Sequence, residues 1–215
     1  MCVKFLIFTI FNKQDELSVI PPSSRYLPLY CLINHAMTLQ SPKSSFWLPD
    51  DEWSKVQKCL PITCVDVLPF RLDKSEIGEF GLILRNTPHQ GERWCLIGGR
   101  LQYNEVLTEA VDREIIEALG DKTITTLVGG GEPLKVVQYM PELGRGEYFD
   151  PRQHAIGLTY AAELSGIVVP QGEALDFKWF SSSKIQTLEA IGFGQKQLII
   201  DCLQLLGHSS DFLTI

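Results

Sequence analysis

Positive charge is scarce in this 215-residue sequence: 19 Lys and Arg stand against 26 Asp and Glu, leaving a formal charge of −7. Duplex binding rests on Lys and Arg neutralising backbone phosphates, so a nucleic-acid surface is not expected, and a phosphorylated ligand would need a bridging cation. Long apolar runs are also missing. The stretch 5–11 is too short to span a bilayer and has no small-residue cleavage site after it, so neither a membrane segment nor a secretory signal is expected. The six cysteines, Cys2, Cys31, Cys59, Cys64, Cys95 and Cys202, show no C-x-x-C spacing and no disulfide-scaffold density. A reducing, cytoplasmic setting fits them. What remains, 45% hydrophobic and 21% charged, is ordinary for a single globular domain.

Residues 1–45 differ from the rest. Two short apolar stretches flank Pro21-Pro22-Ser23-Ser24, a Ser/Pro/Lys stretch follows, and no amphipathic period runs through them. They read as an N-terminal extension, either poorly ordered or foreign to the native protein, with Met37 standing just before the orderly sequence. The domain proper is expected over 46–207, with 208–215 as a tail.

Within it, Asp50 or Asp51 can cap a short helix carrying Trp53, Val56 and Leu60, stopped by Pro61. Strands are expected over 62–70 and 79–84, with a polar turn around 73–78, and a short strand ends at Ile97. A helix over 106–119 is closed by Gly120, where a left-handed cap is wanted. Further strands are expected over 134–140, 155–164 and 175–180, and helices over 183–189 and 195–206. Interleaved strands and helices with some hairpin-short connections predict an α/β layered domain with a mixed sheet.

The helix over 106–119 carries the chemistry. At about 100° per residue, Leu107, Val111, Ile115, Ala118 and Leu119 share one apolar face, and Glu114 lies about 20° from Leu107. Glu117 is its neighbour one ridge further round. A carboxylate at the margin of an apolar face is costly unless a cation or a donor compensates it, and hard oxygen ligands select Mg²⁺, Mn²⁺ or Ca²⁺. A rim charge paired with Arg113 is the plainer reading of a lone glutamate. Gly98-Gly99 before the helix would let backbone approach a ligand, and Glu105 is also an ordinary N-terminal acid.

The spacing decides between these readings. Gly99, five residues, Glu105, seven residues, then Arg113-Glu114-Ile115-Ile116-Glu117-Ala118-Leu119-Gly120 resembles the Nudix box, G-x5-E-x7-R-E-U-x-E-E-x-G-U with U aliphatic. Two positions depart from it: Ala118 replaces the second glutamate of the E-E pair, and Asp121 replaces the final aliphatic residue. The segment 173–180 followed by 181–188 looks like the acidic loop, aromatic strand and short helix that close many such domains, which extends the likeness to about 47–206.

The resemblance implies a Nudix-type α/β/α sandwich and a hydrolase acting on phosphorus-containing acid anhydrides, cleaving a nucleoside diphosphate linked to another moiety. It implies Mg²⁺, with Mn²⁺ as a substitute, held by Glu114, Glu117 and the Gly99 carbonyl, and Arg113 pairing Glu105. The general base is left among Glu105, Glu117 and the loop acid Glu173, and Arg100 is a candidate phosphate grip. Arg93 reads as surface, His154 as structural, and Gly129-Gly130-Gly131 as a turn, because no Lys-Ser/Thr follows it. Tyr103, Tyr139, Tyr148 and Phe149 can stack on a base or pack the core. Two alternatives stay open: a nucleotide-sugar glycosyl hydrolase similar to the GDP-mannose hydrolases, which share the Gly-Gly-Arg start, and a ligand-binding module whose metal site has weakened at Ala118. The expected partner is a small phosphorylated, nucleotide-linked substrate, and a homodimer is compatible with the sequence.

Overall fold

The computed structural model describes residues 48–73 and 76–208. The expectations for 1–45 and for most of the tail lie outside them. Among the described residues, no helix is long and apolar enough to cross a membrane.

The chain enters through α1 (Asp50–Cys59), which buries none of its residues. Pro49 occupies its N-cap and no side chain caps it, so Asp50 and Asp51 lie in the first turn, where they favour the helix through its dipole rather than as the expected caps. Pro61 then leads into β1 (Ile62–Asp73), and a hairpin returns as β2 (Glu76–Thr87). Both strands outrun their expected limits, because the polar residues around Gly78 pair across the hairpin instead of forming a turn. The strand expected to end at Ile97 is two strands, β3 (Gly91–Cys95) and β4 (Ile97–Arg100), so Gly98 and Gly99 lie within a strand paired antiparallel to β1.

After α2 (Leu107–Leu119) come β5 (Thr123–Leu127), a 3₁₀ turn at Gly129–Gly131, β6 (Lys135–Met140), β7 (Tyr148–Phe149), β8 (Ala155–Gly166) and β9 (Asp176–Ser181). The helix expected over 183–189 is a 3₁₀ segment, Ser182–Thr187, and α3 (Lys196–His208) ends the described chain. The nine strands form one mixed, curled sheet in the order β3-β2-β1-β8-β6-β7, with β4 added to β1, β5 to β8 and β9 to β2. Its centre is the parallel pair β1 and β8, in register from Ile62 opposite Ala155 to Phe70 opposite Glu163. A strand buried on both faces reads as a continuous apolar run, and β1 does so from Val65 to Phe70 except at Asp66.

Helix α2 packs on this sheet through Ala110, Val111, Ile115, Ala118 and Leu119, all buried. Each fully buried aliphatic side chain of Val, Ile or Leu size contributes about 1.5–3 kcal/mol, so three of them fix the helix and everything it carries. Leu107 is only partly buried, and Ala110, one turn on, completes the face. The N-terminus is held by the Val106 N–H donating to Glu109 Oε2 (3.1 Å), and Gly120 at φ +89° ends the helix in a conformation that a β-carbon would strain.

Candidate active site

A cleft of about 870 Å³ opens between α2, the β1–β4 pair and the loop before β9, and it is lined by these residues expected to work together: Gly99, Arg100, Arg113, Glu114, Glu117 and Glu173. Glu105 reaches the cleft through Arg113.

Arg113 is the hub. Its Nε and Nη2 donate to the two oxygens of Glu105 at 2.6 and 3.0 Å, and Nη2 also donates to the Arg100 carbonyl at 3.1 Å. Its Nη1 donates to Glu114 Oε1 at 2.6 Å and, more distantly, to Glu117 Oε2 at 3.4 Å. A planar guanidinium with five donors can tie three carboxylates and a carbonyl together in this way, whereas an ammonium lacks the fork. Glu105 in turn accepts from the Gln102 backbone N–H (2.9 Å), which pins the loop between β4 and α2.

The carboxylates differ in consequence. Burial works against the charge of Glu105, yet its bonds from Arg113 and Gln102 hold it below the usual carboxylate range. Burial pushes Glu114 up to about 7, with the charges of Glu117 and Glu173 adding to the effect against the pull of Arg113. Glu117 is exposed at the rim. Gly99 is required beside Glu114, since a β-carbon there would stand 2.3 Å from Glu114 Oε1. On the opposite wall, Glu173 pairs with Arg85 at 2.7 Å, and burial raises its carboxyl while Arg85 and Arg152 oppose the rise.

The deep end of the cleft was not expected from the sequence. Asp66, nearly buried, accepts from Tyr139 Oη (3.1 Å), and burial pushes its carboxyl up to about 6. Arg152 is held by both oxygens of Asp150 (2.9 and 2.7 Å) and lies over the Phe193 ring, whose backbone takes a strained φ of +54°. Cys64 also faces the cleft, but burial and the Asp66 charge push its thiol up to about 12, which makes it a poor nucleophile. At the mouth, Arg100 stacks on Trp53 of α1, its guanidinium 4.1 Å from the ring centre.

Arg93, by contrast, lies outside the cleft and donates to the Glu92 carbonyl. His154 also lies outside, its carbonyl accepting from the Ile62 N–H. Of the four aromatics, Tyr139 alone lines the cleft; Tyr148 packs against it, Phe149 against His89, and Tyr103 is 93% exposed. The signal for Asp66 was present, as a lone acid inside the run Val65-Asp66-Val67-Leu68, and Arg85 likewise follows an apolar stretch.

Ala118 is 2% exposed and contributes no oxygen from its side chain. Among the described residues, no three His, Cys, Asp or Glu side chains are gathered as a ready ligand cluster, and Arg113 engages one oxygen of Glu114 and, more distantly, one of Glu117. The donor set is nevertheless one of hard oxygens. Two acids one helical turn apart, one of them raised by burial with the other's charge adding to it, fit a hard divalent cation.

Residues 43–208 match the family described as a domain of unknown function, DUF4916. Over 135 residues the chain is 30% identical to the NAD-capped RNA hydrolase NudC of Deinococcus radiodurans, covering 62% of this chain and 42% of that protein. Over 91 residues it is 35% identical to the low-salt glycan biosynthesis protein Agl8 of Haloferax volcanii, covering 42% of this chain and 55% of that protein. The chain thus spans about half the length of these curated relatives. A solved structure from Jonesia denitrificans, described as a possible asymmetric diadenosine tetraphosphate hydrolase, superposes with a TM-score of 0.65 at 29% identity, covering 69% of this chain and 96% of that one. The MutT protein of Methanosarcina mazei shares the fold at 22% identity and a TM-score of 0.52, covering 67% of this chain and 94% of that one.

Proposed function

We propose, from the premise that the chain belongs to the DUF4916 family and to the Nudix hydrolase superfamily, that it cleaves the pyrophosphate bond of a nucleoside diphosphate linked to another moiety. The observation that carries the reading is the Arg113 hub, which holds Glu105, Glu114 and Glu117 beside Gly99 in one cleft.

Glu114, Glu117 and the Gly99 carbonyl would hold Mg²⁺ or Mn²⁺. When bound, such an ion would polarise phosphoryl oxygens and offset their charge. Arg113 orients both acids, and the bidentate Glu105 is a positioning residue for Arg113. Of the three candidate bases, Glu105 suits proton transfer least, since it is engaged by Arg113 and held low. Glu173 is the base we favour: it lines the cleft, and burial raises its carboxyl against the pull of Arg85 and Arg152, so that it gives up the Arg85 pairing more readily than Glu105 gives up its fork. Arg100, Arg85 and Arg152 line the same cleft and can bind phosphate oxygens.

The test is a screen with Mg²⁺ or Mn²⁺, scored by phosphate release after phosphatase treatment for nucleotide sugars and dinucleotides, whose phosphates are blocked until cleavage, and after inorganic pyrophosphatase treatment for nucleoside triphosphates. Glu117→Gln is expected to lower turnover by orders of magnitude in a folded protein. Full turnover in excess chelator overturns the metal-assisted reading. Attack on phosphorus is preferred to attack on a sugar carbon because the loop 171–176 carries no histidine base, and solvent ¹⁸O recovered in the sugar would reverse that preference. A second reading, a fold kept for ligand binding alone, draws on the buried Ala118, and ligand binding without turnover across the screen would favour it.

A further inference from the structure

The deep end of the cleft is built around one carboxylate. Asp66 is 9% exposed and interrupts the apolar centre of β1, where burying a charge is costly without compensating donors. A chain of hydrogen bonds fixes its orientation. The Leu96 backbone N–H can only donate, and it donates to Gln195 Oε1 (3.0 Å), so the amide nitrogen of Gln195 points at Tyr139 Oη (3.1 Å). Tyr139 Oη accepts that bond and must send its own proton to Asp66 Oδ2 (3.1 Å).

One donor, Tyr139, leaves most of the carboxylate's acceptor capacity unused, and the backbone on either side of it is glycine. A β-carbon on Gly157 would stand 2.8 Å from Asp66 Oδ2, and one on Gly98 would stand 3.0 Å from Oδ1. The missing side chains of both glycines therefore make room for the carboxylate between β4 and β8, and Asp66 lines the cleft. Arg85, whose charge favours the ionised form of Asp66, is itself engaged by Glu173.

We propose that Asp66 reads the substrate, accepting two adjacent hydrogen-bond donors from the moiety attached to the phosphates. This rests on the hydrolase reading above, since it needs the phosphates to lie at the Glu114 end of the same cleft. Two donors of that kind occur on the N1–H and N2–H edge of a guanine-type base and on the 2′,3′-diol of a ribose. A buried acceptor left unpaired is penalised, so a ligand that lacks the donors is rejected.

The experiment measures dissociation constants of the full chain with Mg²⁺ for GDP, IDP, 2′,3′-dideoxy-GDP and inorganic pyrophosphate, in wild type and in Asp66→Asn. GDP is expected to bind at least tenfold tighter than one of its two analogues, and Asp66→Asn is expected to bring that ratio to within about threefold. Loss of the ratio to IDP identifies the base edge; loss of the ratio to the dideoxy compound identifies the sugar. Pyrophosphate bound by a wild type that does not discriminate among the nucleotides overturns the role of Asp66 alone, as does a ratio that survives in the variant. Wild type that binds neither pyrophosphate nor any nucleotide overturns the hydrolase reading and this role with it. Should Asp66→Asn fail to melt cooperatively, Tyr139→Phe decides: it removes the O–H that fixes the carboxylate, is expected to cut the ratio threefold or more, and overturns the role if the ratio is unchanged.

Discussion

Gly99 and the Glu114 carboxylate compete for one volume, since a β-carbon at position 99 would stand 2.3 Å from Glu114 Oε1 and 2.7 Å from its partner oxygen. The obstructing atoms are the end of a flexible side chain. Gly99→Ala should therefore keep its melting temperature within a few degrees and lose at least a hundredfold in metal-dependent turnover, because the acid has to swing away. Gly98→Ala gives the opposite pattern: its β-carbon meets the Val65 carbonyl at 2.3 Å, which is backbone of the central strand, and the fold itself must move. Thermal melts beside turnover separate the two variants.

Arg113→Lys keeps the charge and loses the fork. With both oxygens of Glu105 and one of Glu114 bound by a side chain only 19% exposed, the expected loss is about 1–3 kcal/mol of stability. A fall of ten- to a hundredfold in turnover should accompany it. Denaturant titration and steady-state kinetics measure the two effects, and a fully active, equally stable lysine variant would show that the fork positions nothing.

At Ala118 two effects oppose each other. The site is buried, so Ala118→Glu places a partly desolvated carboxylate on the packed face of α2 and should lower stability in chelator. A further oxygen donor should also enlarge the thermal shift on adding Mg²⁺ or Mn²⁺, since binding to the folded state alone stabilises it. Melting temperature against metal concentration for both proteins is the measurement. A shift no larger than wild type's would mean that position 118 does not face the ion.

The pH dependence follows from Glu114, which burial pushes from an ordinary 4.5 up to about 7. Between those values the metal-free folded chain holds more of this proton than the unfolded chain does, so this group's contribution to stability declines as pH rises through the window. Glu114→Gln should flatten that decline. A divalent ion must displace the same proton, so the Mg²⁺-induced thermal shift should grow from pH 6 to pH 8 in wild type. Melting curves at both pH values, with and without Mg²⁺, check the sign.

The box was legible because everything it needs is local: a helix period, a glycine, and acids at fixed spacings place Glu105, Arg113, Glu114 and Glu117 together once the helix forms. The layered α/β class was legible for the same reason, from strands and helices each readable by its own period. Asp66, Arg85, Arg152 and Gln195 were not read as a site, because they come from β1, β2, the segment before β8 and the residue ahead of α3, and only strand pairing distant in sequence brings them to one cleft. The short β5 and β7 carry too few residues to show a period. The strand is expected to end at Ile97 because glycine weakens a strand, and it resumes through Gly98-Gly99 because β1 supplies the pairing and Glu114 needs the space.

The parallel pairing of β1 with β8 sets an order of events. Ile62 finds Ala155 only after most of the domain has been made, and loop closure over that span must precede any gain from the pairing. Helix α2 can form early, since its hydrogen bonds are local, but the wall opposite it exists only once β8 has docked. Hydrogen exchange during refolding should therefore protect the α2 amides before those of β1, and ligand should not speed that first phase. A chain emerging from the ribosome would carry the acids of α2 well before the cleft they line had its far side.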